Sequence, residues 1–259
     1  MRRQPLLIAH AVTLAIVLLL PGLSRAQGPR WARVLRVSLT PQAPLWDFSI
    51  SGFGGLAIPF DPHFDVTDPA TSTDFTAKDL GLDNSLSFGG KIGAWNTATR
   101  RTIGLDFGAE IDVTRFTPDF DPQRVNASGT LAGAAITTFQ LPTKLDVNAT
   151  IVAVNLLVRE VRGLAPDLPH GRWQAYIGIG GGFEIVHADL LGGGDDTDTS
   201  PALQVLAGLK IFFNRYVAIF AEYKFSHADH TFQVGTRKNQ FSLSANHVAG
   251  GLAIHFTTP

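Results

Sequence analysis

The stretch PALQVLAGLKIFFNRYVAIFAEYKF, Pro201 to Phe225, decides the fold of this chain. It contains two runs in which apolar side chains occupy every second position, separated by a turn-forming Asn-Arg pair at 214–215. One face of each run is apolar throughout, whereas the other carries small residues and the charges Lys210, Glu222 and Lys224. A period of two predicts β-strands, and the short link between the runs predicts a hairpin.

The same alternation recurs along the chain and predicts eight strands. Strands of ten or more residues are long for a soluble β-sandwich, and an apolar outside with a charged inside suits a barrel that crosses a membrane. The connections alternate between long and short, as in outer-membrane barrels. The sequence therefore predicts an all-β fold, an eight-stranded antiparallel up-and-down transmembrane β-barrel, over residues 46–256. Its strands are expected near 46–57, 86–96, 102–116, 147–160, 172–189, 201–213, 216–225 and 244–256.

Two segments resemble a known family: AEYKF at Ala221–Phe225 and NHVAGGLAIHF at Asn246–Phe256. The chain is similar, over Trp46 to Phe256, to the eight-stranded outer-membrane β-barrels that include the OmpA transmembrane domain. The resemblance implies residence in a Gram-negative outer membrane with both termini periplasmic, and contact with lipid and lipopolysaccharide. It also implies that the barrel-assembly machinery reads the C-terminal strand, although residues 257–259 follow the aromatic Phe256 here.

The N-terminus reads as an export signal. A basic start, an apolar run from Leu6 to Leu20 and a small-x-small site before residue 27 predict a signal peptide over residues 1–26. Residues 27–45 are predicted to form a periplasmic N-terminal extension. The chain has no cysteine, which excludes disulfides. The formal net charge of −1, with no basic stripe, argues against a nucleic-acid partner.

The inward faces of the predicted strands carry acids and bases together. Opposite charges in a lumen too narrow for much water are expected to pair, because an unpaired buried charge is costly. The sequence thus predicts a closed interior plug, with a narrow ion-conducting path as the alternative. The predicted plug residues are Asp47, Lys91, Asp106, Glu110, Asp112, Arg159, Glu184, Lys210, Glu222 and Lys224.

Two long loops, 59–85 and 117–146, are predicted to provide a surface for an extracellular partner. The first is rich in aspartate, and a shorter loop holds Asp195, Asp196 and Asp198 among glycines. Carboxylates could bind a divalent cation, but the spacing does not match an EF-hand loop. No metal site or cofactor is predicted.

The run Ser226, His227, Asp229 and His230 contains the groups of a hydrolytic site, because nucleophilic catalysis needs a hydroxyl, a base and a carboxylate. In a strand, Ser226 and His227 point to opposite faces. His227 and Asp229 share a face that has no serine in this run. No catalytic residue is therefore predicted.

The sequence favours a non-enzymatic barrel with a structural or surface-interaction role. The alternatives are a lipid A-modifying enzyme (oxidase, deacylase or acyltransferase) and a narrow channel. Aromatic residues near the strand ends are predicted to form girdles at the membrane interfaces: Trp46, Trp95, Phe116, Trp173, Tyr216 and Phe256.

Overall fold

A computed structural model describes residues 45–60, 63–78, 81–118, 121–141, 147–189, 195–234 and 236–257. The predicted signal peptide and, except for Leu45, the predicted N-terminal extension lie outside these ranges. The described residues form one antiparallel sheet of twelve strands. The strands are β1 (Trp46–Phe60), β2 (Phe64–Asp68), β3 (Thr73–Lys78), β4 (Ser85–Asn96), β5 (Leu105–Phe116), β6 (Gln123–Leu131), β7 (Ala134–Leu141), β8 (Val147–Arg162), β9 (Trp173–Asp189), β10 (Asp195–Phe212), β11 (Val217–Val234) and β12 (Arg237–Thr257).

Eight of these strands close into a ring in the order β1, β4, β5, β8, β9, β10, β11, β12. Pairing of β1 with β12, from Phe48 opposite Phe256 to Phe60 opposite Ser244, closes it. The predicted eight-stranded antiparallel barrel is confirmed. Closure gives the backbone donors and acceptors of the ring a partner strand on both sides, as a lipid environment requires.

The other four strands extend the barrel wall beyond the ring. The order β2, β3, β6, β7 continues outward from β12, whose upper part pairs with β2 through Phe241 and Phe64. We call these four strands, with the upper parts of β11 and β12, the extended wall. Residues 59–85 and 117–146 were predicted as long loops, and that prediction is wrong, because most of each folds into strands.

The reason lies in the side-chain alternation, which persists through these segments despite their many aspartates. Buried apolar residues from alternate positions of β2, β3 and β6 form one cluster on the inner face of the extended wall: Val66, Phe75, Ala77, Val125 and Ala127. Likewise, residues 226–243, which lie between two predicted strands, form the upper hairpin of β11 and β12.

The opposite, short-turn end of the barrel holds the described chain termini and tight connections. The β10–β11 turn is longer than the predicted Asn-Arg pair, and Asn214 Oδ1 accepts from the backbone N–H of Tyr216 at 2.8 Å and Val217 at 2.9 Å. A four-residue helix, α1 (Arg100–Ile103), ends at Gly104, whose φ of 79° is left-handed, so β5 starts later than predicted.

An apolar belt surrounds the outside of the barrel. Its exposed members include Phe48, Ile50, Phe88, Ile92, Ile111, Val154, Leu156, Ile179, Phe183, Leu203, Val205, Leu252 and Ile254. Along β11 it runs from Val217 to Phe225, about the 9–11 residues that a tilted strand needs to cross a bilayer. These exposed aliphatic side chains suit lipid as their solvent. Within the described residues, no helix has the length and apolarity to cross a membrane.

The belt ends, at the long-hairpin end, in a row of outward polar pairs. Arg115 donates to Asn148 at 3.2 Å, and His187 contacts Thr197 at 2.7 Å. We call this row the outer boundary row.

Only four of the six aromatic residues predicted to form girdles are exposed on the outside of the barrel. Those four are exposed at the short-turn end: Trp46, Trp173, Tyr216 and Phe256. Trp95 and Phe116 are 3% and 0% exposed, because both lie at inward positions of their strands. Trp95 packs beneath the guanidinium of Arg159, and Phe116 meets the ring of His247 edge-on.

Candidate functional sites in the lumen and on the outer wall

All ten predicted plug residues point into the barrel. Nine are buried, and the side chain of Glu110 is 11% exposed. They do not form a single network. The structure divides them into a layer near the short-turn end, a layer at mid-barrel, and one carboxylate, Glu184, near the long-hairpin end.

The layer near the short-turn end is centred on Arg159, which is fully buried. Arg159 Nη1 lies 2.8 Å from Asp47 Oδ2, and Arg159 Nε lies 2.8 Å from Asp106 Oδ2. The guanidinium also donates to Gln174 at 3.2 Å and stacks over the Trp95 ring at 4.3 Å. One cation therefore holds strands β1, β5, β8 and β9 together.

This layer also contains groups that the sequence did not reveal. Arg100 reaches in from α1, and its Nε donates to Asp106 Oδ1 at 2.8 Å. His170 enters from the β8–β9 connection, with Nδ1 3.3 Å from Asp47 Oδ2. Arg100 precedes β5, and His170 lies between β8 and β9. Outside a strand, the alternation of side chains does not predict which way a side chain points.

Lys210 has a different partner from the predicted carboxylate. Its Nζ lies 3.0 Å from His255 Nε2, and His255 Nδ1 lies 2.8 Å from Asp47 Oδ1. A neutral imidazole protonated on Nδ1 satisfies both contacts, since it accepts from the ammonium and donates to the carboxylate. Lys210 is therefore coupled to Asp47 through a histidine.

Asp47, His170 and His255 also place three potential metal ligands within 4.8 Å of one another. The surroundings oppose a cation, however. Arg159 occupies one side of the Asp47 carboxylate and Lys210 already bonds to His255. We interpret the cluster as a hydrogen-bonded ion network, because a metal ion here would add positive charge to two buried cations.

The mid-barrel layer is centred on Lys91. Its Nζ lies 2.6 Å from Glu222 Oε2, 3.1 Å from Glu110 Oε1 and 3.4 Å from Asp112 Oδ2. The Tyr176 hydroxyl donates to Glu222 at 3.0 Å. Strands β4, β5 and β11 thus meet at one ammonium group, and β9 joins them through the bond from Tyr176 to Glu222.

Lys224 completes the mid-barrel layer. It forms an ion pair with Asp112 and donates to Thr114 Oγ1 at 2.9 Å. Asp112 therefore lies between two lysines, and the layer links β4, β5, β9 and β11 across the lumen.

Glu184 faces a histidine rather than a lysine or arginine. His230 Nε2 lies 3.4 Å from Glu184 Oε2, and His230 Nδ1 lies 2.9 Å from Asp198 Oδ2. The pairing of β10 with β11 stops at Ala202 and Ala228. The contact between Asp198 of β10 and His230 of β11 therefore bridges the two strands beyond the end of their backbone pairing. Burial lowers the pKa of His230, but the two carboxylates outweigh it and raise the pKa above 6.5.

Apart from the Glu184–His230 contact, the upper half of the lumen is filled mainly by apolar groups. Aliphatic and aromatic side chains from every strand of the ring except β4 pack into one core, and Phe64 and Phe139 of the extended wall lie against it. Its buried members are Ala57, Phe116, Val147, Ala149, Ile151, Ala153, Val186, Ala202, Ala228, Phe232, Phe241, Leu243 and Ala245. The polar layers below are thus covered by a hydrophobic core.

The hydrolytic candidates are separated by the barrel wall. Ser226 is inside, 2% exposed, with Oγ 3.1 Å from His247 Nε2. His227 is outside, and its Nδ1 lies 2.9 Å from the Oγ of Ser244 on β12. Its Nε2 lies 3.7 Å from Asp229 Oδ2. Sequence reasoning missed Ser244 because this partner comes from the neighbouring strand, at the register position opposite His227.

Solved structures of outer-membrane proteins share this architecture at low sequence identity. Neisserial surface protein A is 17% identical, over 81% of this chain and 97% of that chain, with a TM-score of 0.42. OprG from Pseudomonas aeruginosa is 13% identical, over 83% and 98%, with a TM-score of 0.49. The protease OmpT from Escherichia coli is 8% identical, over 82% and 97%, with a TM-score of 0.37.

No protein-family model and no curated protein matches the chain. At the identities and TM-scores above, no ligand, partner or activity is transferred from the solved structures. The fold assignment depends instead on the strand pairing and on the exterior. The closed ring of eight antiparallel strands and its exposed aliphatic belt make this chain an eight-stranded transmembrane β-barrel of the outer-membrane type.

Proposed function

We propose that this protein is an exported outer-membrane barrel that does not conduct and that acts from its exterior, in a structural or surface-interaction role. In this proposal residues 1–26 direct export, both termini are periplasmic, and the extended wall stands at the cell surface. The closing strand β12, which ends near the outward Phe256, is the segment presented to the barrel-assembly machinery. Lipid and lipopolysaccharide surround the belt.

The filled lumen is the observation that carries the proposal. An ion crossing the barrel would have to pass two ion-paired layers and then an apolar core. Opening the polar layers would leave charges such as Arg159 and Asp47, both fully buried, without partners. The apolar core would hinder ions even if the layers rearranged, because most of its lining cannot replace their hydration.

The extended wall supplies a surface for a partner. Strand β7 pairs only with β6 and is the open edge of the described sheet. Its backbone N–H and C=O groups on that side can accept a further strand, a common mode of protein recognition. We therefore expect an extracellular protein partner to pair with β7 at the edge formed by residues 134–139.

The absence of cysteine permits a clean test of the orientation. Thr67→Cys, on β2 of the extended wall, should react with a membrane-impermeant maleimide on intact cells. Asn214→Cys, in the short β10–β11 turn, should react only after the outer membrane is opened. The reverse pattern would overturn the proposed orientation.

Conductance tests the closed lumen. The purified protein in a planar bilayer should show no unitary current steps. The double variant Lys91→Met with Glu222→Met, which removes the central pair of the mid-barrel layer, should also remain silent because the apolar core persists. Regular current steps from the wild-type protein would refute the closed-lumen proposal and favour the channel.

A further inference from the structure

Four side chains on the outer surface of the β11–β12 hairpin are linked by two hydrogen bonds and one longer histidine–carboxylate contact. His227 Nδ1 lies 2.9 Å from Ser244 Oγ, and His227 Nε2 lies 3.7 Å from Asp229 Oδ2, an ion-pair separation. Ser242 Oγ donates to Asp229 Oδ1 at 2.6 Å. A neutral His227 protonated on Nε2 accepts the serine proton on Nδ1 and directs its own N–H towards the carboxylate. A hydroxyl, a base and an orienting carboxylate thus occur in the right order.

The position of this set on the barrel is as informative as its chemistry. His227 and Ser244 lie at the level of the outer boundary row, and the exposed Leu203 of β10 is opposite His227. Phe60 of β1 is opposite Ser244, and its ring lies 5.8 Å from that of Phe225, the next outward residue of β11 towards the belt. The hydroxyl therefore lies where apolar belt changes to polar wall. A bilayer lipid has its acyl ester groups at this same boundary, between hydrocarbon and headgroup.

We propose that Ser244, His227 and Asp229 form a site that hydrolyses acyl esters of lipids in the surrounding leaflet. Ser244 Oγ attacks the ester carbonyl carbon while its proton passes to His227 Nδ1. The bond to the alcohol oxygen then breaks, and His227 returns the proton to the departing alcohol. Water, activated by the same imidazole, cleaves the acyl-enzyme, releases the fatty acid and restores Ser244. Asp229 is a positioning residue that orients the imidazole.

The neighbouring side chains fit this chemistry. Asn246 is the next residue on this face of β12, and its Oδ1 accepts the Tyr223 hydroxyl proton. That bond fixes an amide whose N–H groups are of the kind that stabilises an oxyanion.

A shallow groove below the set can hold an acyl chain. Four outward glycines of β1, β4 and β12 lie side by side, Gly54 opposite Gly250 and Gly52 opposite Gly90. The space outside them is open: a Cβ on Gly52 would meet nothing within 4 Å, and one on Gly54 only Ser87 O at 3.9 Å. Gly250 is six residues along β12 from Ser244, about 20 Å in an extended strand. A long acyl chain with its ester at Ser244 can reach this groove.

The structure contains a matched control inside the barrel. Ser226 and His247 also form a serine–histidine contact on the same two strands, but both are 2% exposed in the lumen. Lipid cannot reach that pair. Ser226→Ala should therefore leave ester hydrolysis unchanged, whereas Ser244→Ala should abolish it.

The test uses the purified full-length protein, shown to be folded by circular dichroism, with p-nitrophenyl palmitate in mixed micelles. The wild type should release p-nitrophenol. Ser244→Ala and His227→Ala should reduce the rate about 100-fold or more. Asp229→Asn should also lower kcat more than it changes KM, because Asp229 orients the imidazole and does not bind the ester. A folded wild type without hydrolysis, or an active Ser244→Ala variant, would overturn the proposal.

Mass spectrometry of vesicles distinguishes the two sources of ester. Phosphatidylethanolamine vesicles would lose one acyl chain to give a lysophospholipid if phospholipid is the substrate. The same vesicles containing lipopolysaccharide would instead yield a lipid A lacking one ester-linked chain. Either product supports hydrolysis, and intact lipids in both vesicles would contradict it. The outcome is independent of the closed-lumen proposal, which concerns the other face of the strands.

The groove has its own control. Gly54→Leu should slow hydrolysis of the palmitate ester but not of p-nitrophenyl acetate, which has no chain to place. Gly181→Leu, an outward glycine on β9 away from the groove, should change neither rate. Its added Cβ would make only ordinary contacts at 3.8 Å. If Gly54→Leu affects both esters equally, the groove does not hold the chain.

Discussion

Replacing Arg159 with methionine tests the ion network at the short-turn end. Methionine retains much of the apolar bulk over Trp95 but removes the charge that lies 2.8 Å from both Asp47 and Asp106. Both carboxylates are fully buried. Breaking a buried ion pair by removing one partner costs about 3–5 kcal/mol. Asp106 keeps Arg100, so we expect a loss near the lower end, about 3 kcal/mol.

Arg162→Met is the matched control on the same strand. The Arg162 side chain is 50% exposed and pairs with Glu160 at 2.9 Å, an interaction worth about 0–1 kcal/mol. Urea unfolding of the protein in detergent micelles, followed by far-ultraviolet circular dichroism, measures both. With a slope of about 2 kcal/mol per molar urea, Arg159→Met should lower the midpoint by about 1.5 M.

Equal midpoints for the two variants would refute this reasoning. That result would mean that Asp47 and Asp106 find water or a proton at no cost, and hence that the layer does not hold the strands together. The double variant Arg159→Met with Asp47→Asn provides a second check. It should regain part of the loss, because the unpaired carboxylate is then absent.

Three further perturbations test other parts of the molecule. Ile111→Arg, at an outward position that is 54% exposed, should cost about 2–4 kcal/mol in a bilayer, measured by urea unfolding in vesicles; no loss would mean that Ile111 lies outside the hydrocarbon. Glu222→Gln should cost about 1–3 kcal/mol in the same assay, because Lys91 loses its closest anion, at 2.6 Å; an unchanged midpoint would contradict that pairing. The raised pKa of His230 stabilises the folded state fully below pH 6.5, and this contribution is lost as pH rises through the higher folded value. The wild type should therefore lose more stability between pH 6 and pH 9 than His230→Asn does; equal losses would show that His230 is not the titrating group.

The barrel was predictable because a period of two is a local property of the chain. The residues of each strand show which face meets lipid: the apolar Leu209 points outward, and the charged Lys210 next to it points into the lumen. The same property identifies inward charges, so all ten plug residues were placed inside. Which acid meets which base could not be predicted, because pairs such as Lys91 and Glu222 depend on the stagger between distant strands.

The extended wall was missed because composition was given more weight than alternation. Aspartate and proline in residues 59–85 suggested a loop, yet Val66 and Phe75 alternate with polar neighbours as any strand does. These short strands are stable because they continue a sheet that the ring has already formed. Because β2 pairs with β12, it can add to the existing sheet without a separate folding nucleus. Aspartate and proline are therefore weaker evidence for a loop wherever a neighbouring strand extends past the membrane boundary and can pair with the segment.

The outer-wall site shows why a serine and a histidine must be compared across strands as well as along them. Within β11, Ser226 and His227 are adjacent in sequence but on opposite sides of the barrel wall. Across the β11–β12 pair, His227 and Ser244 are distant in sequence but opposite in register. The hairpin turn fixes that register, so a one-residue change in its length would turn Ser244 inward and bring a neighbouring residue, Leu243 or Ala245, outward beside His227. The proposed chemistry thus depends on the length of a turn remote from the reacting atoms.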